Sequence, residues 1–157
     1  METLASVSLC RHIRIPLSSR HPTEFIDVTE RLQSFITDAG VRVGVINVQT
    51  LHTTTAIVVN EHEPLLLGDF QAVLEQTAPC DGRYRHDDLL VRTVNLTEAE
   101  RANGHAHCRA LFLPSSTSLN VSRGRLVLGR WQRVFFVELD GPREREVSLL
   151  VYGEAWR

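Results

Sequence analysis

The chain contains no lysine, and all 17 of its basic residues are arginine. That absence excludes a Schiff-base lysine, pyridoxal-phosphate chemistry and a Walker-type phosphate lysine. Codon bias in a GC-rich genome is the plain alternative reading of the count, while arginine also offers fixed forks for phosphate or carboxylate. Cysteine is scarce: Cys10, Cys80 and Cys108 are widely spaced and form no CxxC pair. Reduced thiols in a cytoplasmic protein are expected, rather than a disulfide framework. No apolar run approaches the ~20 residues of a membrane span. The N-terminal stretch lacks a cationic region followed by an apolar block, so no secretory signal is expected. A net charge of −2 and a pI near 6.4 argue against nucleic acid as the main partner. There is no glycine-rich phosphate loop, no GxSxG elbow and no HExxH pair.

What is present suits one ordinary globular domain spanning residues 1–157, with 43% hydrophobic and 23% charged residues. A domain of this size buries roughly 68–70% of its unfolded surface, so it needs neither metal nor disulfide merely to fold. Val7, Leu9, Ile13 and Ile15 are evenly spaced and predict a half-buried strand. Phe25, Val28, Leu32, Phe35 and Ala39 form a helical stripe, with Asp27 and Glu30 as its capping box and Gly40 as its stop. Two β-rich runs follow, Val41 to Thr50 and Thr53 to Val59, before a second helix opens at Glu63-Pro64. Its buried face is predicted to be Leu66, Phe70, Val73 and Leu74.

Residues 79–88 read as a loop, and Thr97 to Glu100 as a short helical turn before Asn103-Gly104. The last third predicts an antiparallel meander with strands at 117–121, 125–129, 131–139 and 147–153, and a turn at Asp140-Gly141-Pro142. Local hairpins with few helices imply an α+β domain built on antiparallel sheet.

The polar residues with chemical potential are His52, His86 and the pair His105/His107, with Glu61, Asp69, Asp87, Asp88 and Asn103 near them in sequence. Imidazole is the commonest metal ligand, although a lone histidine is more often a hydrogen-bonded structural side chain. His105 and His107 would share a face in a strand but diverge by about 200° in a helix. Asn103-Gly104 marks a break with a helix after it, which favours His107. Ser116, in the run Pro114 to Thr117, is a candidate for holding phosphate through hydroxyl or backbone N–H groups. Arg109, Arg123, Arg125, Arg130 and Arg133 are candidate counter-charges for it, with Arg125 preferred.

Read in order, the motifs are His52-Thr53-Thr54, Asn60-Glu61, Asp81 to Asp87, Asn103 to His107, Gly124-Arg125-Leu126, Leu128 to Gln132 and Gly153-Glu154. This series resembles the YjbQ-like family, often described as secondary thiamine-phosphate synthases, from about Asp27 to Glu154. The resemblance implies an α+β fold with a β-sandwich core and two or three helices, and commonly a homotrimer. It implies a pocket holding His52, Glu61, His86, Asp87 and His107, with bound metal. The activity it implies joins hydroxymethylpyrimidine pyrophosphate to thiazole phosphate, weakly, with release of pyrophosphate. Departures include His62-Glu63-Pro64 after Asn60-Glu61, Pro114 and Asn120 where glycine and proline are frequent, and Arg130 and Arg133 beside Trp131-Gln132.

Three readings follow. The first is a metal-assisted transferase in which His52, His107 and His86 hold a divalent ion (zinc, magnesium or manganese). His86, Glu61 and Asp87 would serve proton transfer or orientation, and Arg125 and Ser116 would hold phosphate. The alternative is a trimeric metal- or phosphometabolite-binding protein without significant catalysis. A hydrolase using histidine-activated water would share the same site.

Overall fold

The computed structural model describes residues 8–155. Strand β1 (Ser8–Ser18) opens the fold, and Val7 lies outside the described residues. Next comes a correction to the expected first helix. Glu24–Asp27 is a strand, β2, paired with a later strand through Phe25↔Val137 and Ile26↔Phe136, and helix α1 spans only Thr29–Ala39. The Asp27–Glu30 capping box does not form. Asp27 Oδ1 instead accepts the Thr29 N–H at 2.9 Å, ending the strand, while Glu30 reaches Arg133. An apolar spacing of three, Phe25 to Val28, fitted the helix, but an unpaired strand edge competed for the same residues. Gly40 closes α1 in the left-handed conformation (φ 72°), as expected of a glycine stop.

Strands β3 (Val41–Thr50) and β4 (Thr55–Glu61) are joined by a short turn. Helix α2 (Pro64–Thr77) starts where proline needs no N–H partner, and the Glu63 carboxylate accepts from Leu65 N and Leu66 N. Of its predicted buried face only Leu74 is fully buried, and Val73 is 58% exposed. A 3₁₀ turn, Arg85–Asp87, interrupts the predicted loop. At Thr97 to Glu100 the chain makes the predicted turn, short of a helix, and Glu100 accepts from both the N–H and the hydroxyl of Thr97. Helix α3 begins later, at Gly104–Ala110.

Strands β5 (Ser116–Ser122), β6 (Arg125–Leu126), β7 (Gln132–Glu138) and β8 (Glu144–Ala155) complete the chain. They are not one meander. β8 pairs with β1 and β3 in a five-stranded sheet ordered β1-β8-β3-β5-β6, whereas β7 crosses to a three-stranded sheet ordered β2-β7-β4. The reason lies in β7 itself, where residues 134–138 are all buried and therefore need a covered layer on each face. Among the described residues all the ladders are antiparallel, and with three α-helices the fold is α+β.

Val134, Phe136 and Ile57 meet Ile46, Val48, Leu149 and α1 in one core. Phe135, Val137 and Ala56, on the other face, meet α2 and α3 through Leu74 and Ala106. This alternation along one strand, with a period of two, builds a sandwich of the two sheets with α2 and α3 as an outer layer.

Candidate functional site

The β3–β4 turn holds His52-Thr53-Thr54 at one end of the sandwich. The hydroxyls of Thr50 and Thr55 bond to each other across its base. The His52 N–H reaches Thr50 Oγ1, and the Thr55 hydroxyl donates to the His52 carbonyl at 3.2 Å. Below lies a buried ion pair: Arg145 donates to both Glu138 oxygens (2.6 and 2.7 Å) and to Thr54 Oγ1 (3.0 Å). Ser19 and the N–H groups of Leu139 and Asp140 use the remaining capacity of Glu138, so this wholly buried charge is fully bonded. His52 Nε2 accepts the Glu146 N–H at 2.9 Å, which makes the ring neutral there and commits that lone pair. Burial, and then the Arg145 charge, lower the His52 pKa in keeping with that state.

A second arm brings two more histidines together. Asp87 Oδ1 accepts from Asn103 N (2.9 Å) and Gly104 N (2.8 Å), tying the 3₁₀ turn to the start of α3. Gly104 permits this approach, since a Cβ there would lie 2.4 Å from Tyr84 Cβ. Along α3 the two histidines diverge: His105 faces Tyr84 (ring centroids 6.4 Å apart), and His107 faces His86 (4.6 Å, interplanar angle 62°). Burial first, and the neighbouring His86 second, hold His107 below the ordinary imidazole value. For His105 the downward causes are burial and then Arg109.

The arms enclose two adjoining cavities. The larger, about 770 Å³, has His86 and His107 in its wall with Arg85, Arg92, Arg101 and Arg143, against Glu100 as the single carboxylate. The smaller, about 280 Å³, is lined by His52, Thr54, Asp140 and Arg145 among others. Thr53, Asn103, His107 and Arg143 border both. Asp140 organises the junction, held by Arg101 and Arg143 at 2.9 Å each and accepting from Asn103 Nδ2 at 2.9 Å. That bond fixes the amide orientation, because a carboxylate takes only the NH₂ side. Asn103 Oδ1 is thereby left buried without a donor among the described residues.

The predicted set is therefore only partly assembled. His52, His86 and His107 stand at the same end of the fold, and Asp87 is adjacent as the clamp on α3. Glu61 is not among them: it ends β4 opposite Gln132, six residues or about 20 Å of strand from Thr55. Its neighbourhood is a separate network in which Asp27 binds Arg133 and His62. Arg125 follows the β5–β6 turn beside α1, at the end of the large sheet where β3 begins. Ser116 pairs with Gln49 near the correct end but is exposed and lines neither cavity.

Among the described residues no three His, Cys, Asp or Glu side chains are grouped to hold a metal ion. Sequence reasoning missed Asp140 as an organiser and Arg92, Arg101 and Arg143 as cavity walls. Asp140 read as part of a turn, and isolated arginines carry no periodic signal. No helix among the described residues is long and apolar enough to cross a membrane.

Comparison with known proteins agrees with this architecture. A UPF0047 protein of Methanothermobacter thermautotrophicus is 37% identical over 140 residues, covering 89% of this chain and 90% of the relative. A UPF0047 protein of Archaeoglobus fulgidus is 36% identical over 135 residues, covering 86% and 96%. In structure, a YbjQ-like protein of unknown function from Sulfolobus solfataricus P2 superposes with a TM-score of 0.84. It is 30% identical and covers 94% of this chain and all of its own. A hypothetical protein from Aeropyrum pernix K1 gives 0.80 at 33% identity, covering 92% and 99%. The family described as UPF0047 protein YjbQ-like matches residues 13–154, and the chain belongs to that family.

Proposed function

We propose that this chain is a transferase acting on phosphorylated small molecules, with the paired cavities as its site. One observation carries the reading: the facing imidazoles of His86 and His107 open onto a cavity walled by four arginines and one carboxylate. The reaction that suits it joins hydroxymethylpyrimidine pyrophosphate to thiazole phosphate. As the pyrophosphate leaves the pyrimidine methylene, negative charge builds on it, and Arg143, fixed in place by Asp140, offsets that charge without reorganising. When no ion is held there, burial first and the neighbouring His86 second lower the proton affinity of His107, which suits it to move a proton at the cavity wall.

In this reading a divalent metal would be held by His86 and His107, with the unpartnered Asn103 Oδ1 as a third donor. His52 does not extend the set, because its Nε2 already accepts a backbone N–H. When bound, such an ion supplies Lewis-acid charge at the phosphoryl oxygens. Zinc suits two imidazoles best, with magnesium or manganese favoured by more oxygen donors. The same reading includes a homotrimer, supported by large apolar side chains left in water, among them Leu90 (97% exposed) and Leu111 (81%). A cytoplasmic setting fits the three cysteines, which are all free and exposed.

The test combines metal analysis with a pyrophosphate-release assay on untagged protein. We expect about one divalent ion per chain, lost in His86→Ala and His107→Ala and retained in His52→Ala. Release of pyrophosphate should require the thiazole phosphate and disappear in His107→Ala. Release without the thiazole would assign a hydrolase, and binding with no turnover a metabolite-binding protein.

A further inference from the structure

Four arginines line the larger cavity, and three of them are already engaged. Arg92 donates to Glu100 (2.8 Å) and to the carbonyls of Val94 and Asn95. Arg101 and Arg143 both bind Asp140. Arg85 is the exception: its guanidinium has no hydrogen bond or ion pair among the described residues, although it borders the same space. Position 85 is the first residue of the 3₁₀ turn that also carries His86, and Asp87 pins that turn to α3. The free cation is therefore anchored next to the histidine pair rather than borne on a wandering loop.

We infer that Arg85 is the residue that recognises the phosphoryl group of the bound molecule, with Arg143 completing the anion site. This inference rests on the proposed reading of the cavity as a phosphate-compound site, and it replaces Arg125 in that role. The physical case has two parts. The engaged arginines outnumber the carboxylates around the cavity, so their summed field draws a multiply charged anion inward. Arg85 then supplies what that field cannot, a fork of free N–H donors matched to two phosphoryl oxygens. Because its donors have no partner among the described residues, binding the anion breaks none of the bonds described.

Isothermal titration of the purified full chain with inorganic pyrophosphate tests this. We expect Arg85→Gln to weaken binding about tenfold or more, and Arg85→Lys to fall between it and the parent, since lysine keeps the charge but loses the fork. Arg125→Gln should bind like the parent. The side chain of Arg85 is exposed and unpaired, so melting temperatures should match and exclude misfolding as the cause. Parent-like affinity in Arg85→Gln, or no pyrophosphate binding by the parent chain, would overturn the inference. Metal content on the same samples separates it from the wider reading. A metal-free chain that still loses pyrophosphate binding in Arg85→Gln would remove the metal from the proposed function and leave the Arg85 site standing.

Discussion

Asp87 shows how one side chain can act through its neighbours. The sequence placed it beside His86 and suggested orientation or proton transfer, but its Oδ1 is occupied by the N–H groups of Asn103 and Gly104. It is a positioning residue, and the contact of His86 with His107 depends on it. Removing the carboxylate leaves two backbone donors at the start of α3 without an acceptor, at a cost of roughly 1–3 kcal/mol. We therefore expect Asp87→Ala to lower the unfolding free energy measured in urea by that amount and to reduce metal uptake. Asp87→Asn, which keeps one acceptor oxygen, should do less of both. His105 and His107 illustrate the opposite case. Their divergence followed from helix geometry once a helix was expected after Asn103-Gly104, and in the fold they face different neighbours. His52 was legible as a strand-end residue, but nothing in its sequence context showed that β8 would present the Glu146 N–H to its ring.

Between elements, Asp27 joins β2, α1 and β7. Its desolvation raises the carboxyl pKa, but hydrogen bonds from Arg133, Thr29 and His62 outweigh that and bring it from 3.8 to about 2. A carboxyl depressed on folding contributes stability above its unfolded pKa and loses it as pH falls through the folded value. The predicted loss, on the order of 1–2 kcal/mol, lies between about pH 4 and pH 2. Urea titrations across that window should show it in the parent and show much less in Arg133→Gln. Most element boundaries in this region were readable: β3 runs over Val41–Thr50 as expected, and the Gly40 stop and Glu63-Pro64 start are where local chemistry puts them. The capping box at Asp27 failed because strand pairing to β7 took Glu24–Asp27. The exposed Val73 has a similar cause. A helix lying over a three-stranded sheet buries a narrower face than the apolar count of its sequence suggests.

At the scale of the whole molecule, the exposed apolar residues lie on several elements, including Leu65 on α2, Leu90 and Val94 in the long loop, and Phe112 after α3. The proposed trimer would cover part of this surface. Light scattering on the purified chain should give about three times the 17.7 kDa subunit mass, and a monomer at micromolar concentration would refute the trimer. By itself the sequence determined the elements whose signals are local: the strand periodicities, the Gly40 stop and the Glu63-Pro64 start, the absence of lysine chemistry, and the family through its ordered motifs. Only the tertiary structure decided that β7 leaves the meander for a second sheet, that Glu61 and Arg125 lie away from the histidines, and that Asp140 and Arg143 join them. The physical reason is that periodicity reports which face of a segment is buried, whereas proximity between segments is set by which faces find one another. His107 and Arg143 border both cavities and so link His52 in one to His86 in the other, a relation that no local spacing encodes.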